Sequence, residues 1–247
     1  MKLRLRQIAL ALADLEAAPS QAGQILGLGS AYQDPAIVRY GLRNAVYAIG
    51  NTFLEFVSPI TENTTVGRLL TKQGGDCGYM VILQTDAADD ARARINAAGV
   101  RVADQLDRGG AGFMHLHPKD VGGTLLSIDY MPRWSDWEWG GPDWQRSATQ
   151  GEAITGVGIN ALDPQAVAGR WGEILGRPIE RSDHVTRIRL DEGELRFEHL
   201  AGKRSEGFHA FDLHSARAVQ LRENAARHGC LTAEGNIELS GMTIRLV

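Results

Sequence analysis

The chain has little cysteine, no long apolar run and no excess of positive charge, and each shortage removes a class of function. Its two cysteines, Cys77 and Cys230, lie far apart without metal-ligand spacing. They cannot build a disulfide framework, and a reducing, cytoplasmic setting is the expectation. No run of about 18 apolar residues occurs, so no membrane span and no membrane partner are expected. Met1 to Gln7 alternates basic with other residues, and Asp14 and Glu16 interrupt the apolar stretch that follows. That pattern does not fit a secretory signal. The formal net charge of −4 gives no broad basic surface, so no nucleic-acid partner is expected. Gly74-Gly75 and Gly109-Gly110 lack the Lys-Ser or Lys-Thr of a phosphate loop. No Gly-x-Ser-x-Gly elbow occurs, and Ser58 and Ser127 have no evident base.

What is present suits a folded protein. Hydrophobic residues make up 43% and charged residues 23% of 247 positions, enough apolar material for one large domain or two smaller ones. Internal repetition gives the stronger clue. Four segments show a strand, an Asp or Ser, then a helix. They are Gln7 to Asp14 with a helix to about Gly27; Met80 to Asp86 with a helix to Gly99; Gly156 to Asp163 with a helix closing at Gly176; and His209 to Ser215 with a helix closing near Gly229. Each Asp or Ser is expected to cap its helix, with Pro164 in a first turn and the glycines at left-handed ends.

Short runs rich in β-branched or aromatic residues follow each helix: Asn44 to Ile49, Thr52 to Val57, Phe113 to His117, Thr124 to Tyr130, Val185 to Leu190, Leu195 to Leu200 and Met242 to Val247. Turn signals such as Gly50-Asn51, Gly122-Gly123 and Asp191-Glu192-Gly193 separate them. One strand, one helix and about three antiparallel strands therefore recur four times. Between the halves lies Pro132 to Trp144, holding four of the five tryptophans without strand or helix periodicity. It reads either as a linker clamped by its indoles or as a tryptophan-lined lid over a ligand, with Trp137 a candidate substrate contact. The expected division is residues 1–130, a linker at 131–152, and residues 153–247.

The stretch Asn51 to Ile60, Asn-Thr-Phe-Leu-Glu-Phe-Val-Ser-Pro-Ile, resembles the last strand of a vicinal-oxygen-chelate (glyoxalase-like) module, where a Glu or Gln faces a metal. His117-Pro118-Lys119-Asp120 before a Gly-Gly turn resembles a second recurring element of glyoxalase-like and epimerase-like members. The resemblance implies an α+β fold of four βαβββ modules forming two paired glyoxalase-like domains. In metal-dependent members, ligands come from the first and last strands of paired modules, and a substrate with adjacent oxygens chelates the ion.

Carried over position by position, the resemblance places Gln7 and Glu55 as ligands in module one, and Met80 and Ser127 at the matching positions of module two. A thioether suits hard divalent ions poorly. Strand alternation puts Ser127 with Asp129, and His115 with His117. Gln7, Glu55 and His115 or His117 could then hold one divalent ion (Zn, Mn or Fe). The alternative is no metal, with Glu55 bonded in a polar pocket and His117 supporting the turn before Pro118. Glu55 and His117 are the catalytic candidates, and Met80, Ser127 and Asp129 further substrate contacts. In the second half the positions fall on Gly156, His209, Phe197 or Glu198, and Arg245, a poor match to the two histidines and glutamate of dioxygenase-like members. Arg187, Arg189 and Arg196 read as a basic pocket for an anion or as solvent-facing charges.

Two functions remain open. One is a lyase, isomerase or oxygenase on a small oxygen-rich metabolite, with Glu55 as metal ligand or as direct general base on an acidic C–H. The other is a metal-free binder of small molecules, resembling the bleomycin-resistance branch. The partner is a small-molecule ligand, and homodimerisation through sheet edges or module pairing is left open.

Overall fold

The computed structural model describes residues 1–182, 185–200 and 205–247. Module one comprises β1 (Leu3–Ala11), α1 (Ala17–Leu26), β2 (Leu42–Ile49) and β3 (Thr52–Pro59). Helix α2 (Thr65–Gln73) leads into module two: β4 (Cys77–Thr85), α3 (Ala88–Ala97), β5 (Val102–Arg108), β6 (Ala111–Leu116), the short α4 (Pro118–Val121) and β7 (Leu125–Tyr130). The short α5 (Trp144–Ser147) precedes module three: β8 (Glu152–Ala161), α6 (Pro164–Leu175), β9 (Glu180–Arg181), β10 (Val185–Arg189) and β11 (Glu194–His199). Module four is β12 (Gly207–Ser215), α7 (Ala218–Arg227), β13 (Ile237–Leu239) and β14 (Met242–Leu246). The class is α+β, as expected.

Among the described residues the strands form two seven-stranded sheets, in the orders β2-β3-β1-β4-β7-β6-β5 and β13-β14-β12-β8-β11-β10-β9. In every module the first strand lies parallel to the last: β1 on β3, β4 on β7, β8 on β11 and β12 on β14. Parallel pairing needs a long crossover, which the helix and intervening strands supply. Three strands after the helix hold in modules two and three. In modules one and four one of them shrinks to an isolated bridge, Tyr32 with Val46 and Leu231 with Ile237. In module one Pro35 opens a 3-10 turn capped by Asp34, which ends any longer ladder there.

Helix capping departs from the sequence expectation. Of the four expected caps, only Asp163 accepts from its helix, from the Ala166 N–H at 2.9 Å. Asp14 bonds the Glu16 N–H, Asp86 the Lys2 N–H and Ser215 the Arg217 N–H, all ahead of or away from the first turn. Those helices start at Ala17, Ala88 and Ala218, too far along for the acid or hydroxyl to reach their free N–H groups. Gly176 closes α6 in the left-handed region, as expected.

The stretch 131–151 separates the strands of the first sheet from those of the second. By compactness, however, the chain groups as Met1–Arg6, Met80–Trp137 and Gly156–Phe208 in one unit, and Gln7–Tyr79, Glu138–Thr155 and His209–Val247 in the other.

In the first unit α6 buries Trp171 edge-on against Phe197, ring centroids 5.4 Å apart, with the indole N–H donating to the Gly122 carbonyl at 3.3 Å. Arg4 and Arg6 are buried on β1. Arg4 bonds Gln84 and lies 4.3 Å from the Trp134 ring; Arg6 lies 5.3 Å from the Trp137 ring. Burial, aided by the Arg4 charge, pulls the Arg6 guanidinium down to about 9. Trp137 is thus packed down, 2% exposed, on an arginine distant in sequence. In the second unit α1 meets α7, where Asn224 donates to the Ile25 carbonyl at 3.1 Å, and Arg217 grips the buried Glu152 at 2.8 Å. Trp144 packs edge-on against Phe53 at 5.1 Å.

Trp171→Ala removes a fully buried indole packed on Phe197 and leaves a cavity. We expect a loss of about 3–5 kcal/mol, read as a lowered urea midpoint with an unchanged slope.

Candidate active site

Strand β3 lies between β1 and β2, and the register decides what surrounds its one carboxyl. Ala9 on β1 and Val46 on β2 both pair with Glu55. Because side chains alternate along a strand, Gln7 and Asn44, each two positions from those partners, lie on the Glu55 face. Gln7 Nε2 donates to Glu55 Oε2 at 2.8 Å, and Asn44 Nδ2 donates to Oε1 at 2.7 Å. The Asn44 oxygen is itself held by the Asp34 N–H at 2.9 Å. Both oxygens of one carboxyl are therefore bound by neutral amides from the two flanking strands.

Apolar side chains close around this group. Ala11, Val57, Val66 and Cys77 form a buried cluster with Ile37, Leu69, Leu70 and Tyr79 packed against it. Glu55 is 7% exposed. Burial pushes its carboxyl up to about 7; the amide hydrogen bonds from Asn44 and Gln7 pull the other way, and the Asp34 charge adds to the rise. Burial, then the Glu55 charge, raises the Tyr79 phenol well above its ordinary value. A cleft of about 530 Å³ reaches Asn44, lined also by Leu15, Glu16, Gln33, Asp34, Ile37 and Arg43. A carboxyl that changes charge near neutrality can both take and return a proton.

The metal implied by the resemblance does not fit these donors. Glu55 already accepts on both oxygens, and Gln7 turns its nitrogen, not its oxygen, to the carboxyl. Among the described residues no group of three or more His, Cys, Asp or Glu is arranged to hold an ion. A divalent ion wants anionic or lone-pair donors, and this site presents amide hydrogens.

The other candidate residues fall in module two. Ser127 pairs with Ile82 on one side and His115 on the other, and Met80 with Leu125. Met80, Ser127, Asp129 and His115 therefore share one face. There Ser127 donates to Asp129, and the His115 ring stacks on Phe113 at 4.2 Å. His117 does not join them. Strand β6 stops at Leu116, and His117 caps α4, its Nδ1 accepting from the Lys119 N–H at 3.3 Å. The adjoining Asp120 clasps Arg101 through both oxygens, at 2.6 and 2.7 Å, which holds its carboxyl far below the usual range. Pro118 has no N–H to continue the ladder and its fixed φ suits the first turn of α4, so the motif opens a short helix. In the second half, Arg245 pairs with Asp212 across β12–β14, while His209 alternates to the other face.

Asn44 was missed as a site residue because it reads as an ordinary strand opening. The signal was there: an amide opening the run Asn44 to Ile49, whose other residues are apolar or aromatic, paired by hairpin register with the strand that carries Glu55.

Comparison with known proteins agrees with this architecture. The chain is 28% identical over 132 residues to ethylmalonyl-CoA/methylmalonyl-CoA epimerase of Cereibacter sphaeroides, covering 51% of this chain and 96% of that protein. It is 26% identical over 129 residues to the mitochondrial methylmalonyl-CoA epimerase of Homo sapiens, covering 51% and 73%. A hypothetical protein from Staphylococcus aureus superposes with a TM-score of 0.71 at 15% identity over 99% of both chains. A mutant of 4-hydroxymandelate synthase from Streptomyces coelicolor does so with a TM-score of 0.72 at 14% identity, covering 93% of this chain and 76% of that one. At such identities these structures speak for the fold alone. Residues 8–175, well over half of the sequence, match the family model described as a glyoxalase-like domain. The chain belongs to the glyoxalase-like domain family, within the vicinal-oxygen-chelate superfamily.

Proposed function

We propose that the chain is an isomerase-type enzyme that removes and returns a proton at a carbon beside a carbonyl, with Glu55 as the general base. The observation that carries this reading is the buried Glu55 carboxyl, poised at about 7 and held on both oxygens by amides. A base must accept a proton and later yield it, which a group titrating near neutrality does best. Gln7 and Asn44 are positioning residues: they fix the carboxylate plane and stabilise its charged form without the field of a cation.

The substrate class proposed is a small acyl thioester with an acidic C–H next to its carbonyl. The epimerase relatives are named for ethylmalonyl-CoA and methylmalonyl-CoA, molecules of that kind. The cleft reaching Asn44 is the route proposed for the substrate. A divalent ion has no part in this proposal, because the donors around Glu55 are amide hydrogens. Simple sequestration of a ligand is the weaker reading: a binder has no use for a carboxyl held between its two charge states.

Incubating the protein with methylmalonyl-CoA in heavy water and following deuterium uptake by mass spectrometry tests the proposal. Wild type is expected to incorporate deuterium with or without EDTA, and Glu55→Gln to do so at least about 100-fold more slowly. Unchanged uptake in that variant would falsify the assignment.

Asn44→Leu removes a hydrogen bond that favours the charged carboxylate, so the Glu55 carboxyl should rise further. The acid limb of the pH–rate profile is expected to move up by about one pH unit. A limb that stays in place would reduce Asn44 to packing.

Stability gives a check independent of substrate. The folded carboxyl lies near 7 against an ordinary value of 4.5. Its contribution is fully present below about pH 4.5 and is lost as pH rises through about 7. Glu55→Gln should therefore melt higher than wild type at about pH 8, by up to roughly 3 kcal/mol, and the advantage should vanish in acid.

A further inference from the structure

Module three carries on one sheet face a second polar constellation that the Glu55 site does not use. Arg187 on β10 pairs with Arg196 on β11, Arg196 with Gly158 on β8, and Glu198 with Asn160. Alternation therefore puts Arg187, Arg196, Glu198, Gly158 and Asn160 on one face, while Ile188, Leu195 and Phe197 lie buried on the other. Gly158 places no side chain on the polar face.

The charges there do not cancel pair by pair. Arg189 spends its Nε on both oxygens of Glu180, at 2.9 and 3.0 Å. Arg196 takes Glu194 at 2.8 Å and lies 3.6 Å from Glu198. Glu180 stands opposite Arg187 in the register but gives its oxygens to Arg189, so Arg187 makes no hydrogen bond or ion pair among the described residues, and its Nε is buried without one. Asn160, 4% exposed, likewise has no side-chain partner among them. A guanidinium cannot shed its charge to escape this situation, and a half-buried cation without a counter-ion is costly. Its planar fork matches an oxyanion, which can accept two parallel N–H bonds at once, and a nearby amide supplies a further donor.

We propose that this face binds a small oxyanion, the carboxylate or phosphate group of a metabolite, with Arg187 as its fork and Asn160 as a further donor. The melting temperature of the full chain, titrated with phosphate and with malonate against chloride at matched ionic strength, tests it. Wild type should rise by several degrees in a saturable way with at least one of the two. A response to phosphate alone marks a phosphoryl ligand, and a response to malonate alone a carboxylate. Arg187→Gln should abolish the response and Arg189→Gln, at an exposed and paired residue, should keep it. If Arg187→Gln fails to fold, Arg187→Lys decides: it retains the charge but loses the fork, and should bind at least about tenfold more weakly. No saturable response in wild type, or an undiminished one in the Arg187 variants, overturns the proposal. Glu55→Gln should leave the response intact, so this site and the proposed base fail or survive separately.

Discussion

A carboxyl shut away from water, and answered only by amides, is the constraint around which module one is organised. Ionised without partners, a buried carboxylate costs several kcal/mol and would remain protonated at any ordinary pH. Paired with an arginine, it would be held as an anion far into acid, as Asp120 is by Arg101. The amides of Gln7 and Asn44 take the middle course. They bond the charged form well enough to offset part of the desolvation, and they bring no full charge that would fix the group in one state. The outcome is a carboxyl whose two forms are close in free energy near neutrality.

That balance depends on topology. The crossover helix returns the chain so that β3 lies parallel to β1, and the hairpin lays β2 antiparallel on its other side. The central strand therefore receives one amide from each neighbour. A slip of one residue in β2 would turn Asn44 to the opposite face and bring Arg43 or Ala45 in its place. The same slip in β1 would exchange Gln7 for Arg6 or Ile8. Such errors are resisted because β3 is buried along nearly its whole length, so a shifted register would expose Phe56 or bury Arg43. The apolar pattern that specifies the fold also sets the chemistry of Glu55, the buried acid of module one.

The repeated strand, helix and hairpin were legible because their punctuation is local: Pro164, Gly176 and the glycine turns mean the same thing in any context. Gln7 and Glu55 were legible as a pair because the module places its first and last strands side by side. What lay beyond reach depended on partners far away in the chain. Nothing near Trp137 announces that Arg6 will lie against its ring, and nothing near Asp14 shows that its helix begins two residues too late to be capped. The run Phe113 to His117 alternates like a strand, yet the proline that follows has no N–H for the ladder and opens a short helix, and the strand ends at Leu116. The shortened modules one and four were obscured in the same way, since Pro35 and the turn at Thr232 to Gly235 replace a full strand by a single bridge.

Modules one and three use one plan with different polar groups, and the contrast separates their roles. In module one every polar atom of the central acid is answered from within the chain, so nothing further is required to hold it and only its proton remains to be exchanged. In module three Glu180 is committed to Arg189 and Glu194 to Arg196, and Arg187 has no partner among the described residues. Folding alone does not explain such an arrangement, because a leucine or glutamine at that position would cover the same sheet without stranding a cation. A saturated carboxyl is equipped to move a proton, whereas an unsaturated guanidinium is equipped to hold an anion that comes from outside. Gene duplication of one βαβββ plan would permit this divergence, because the strand order and register are kept while the face that each module presents is rewritten at a few alternating positions.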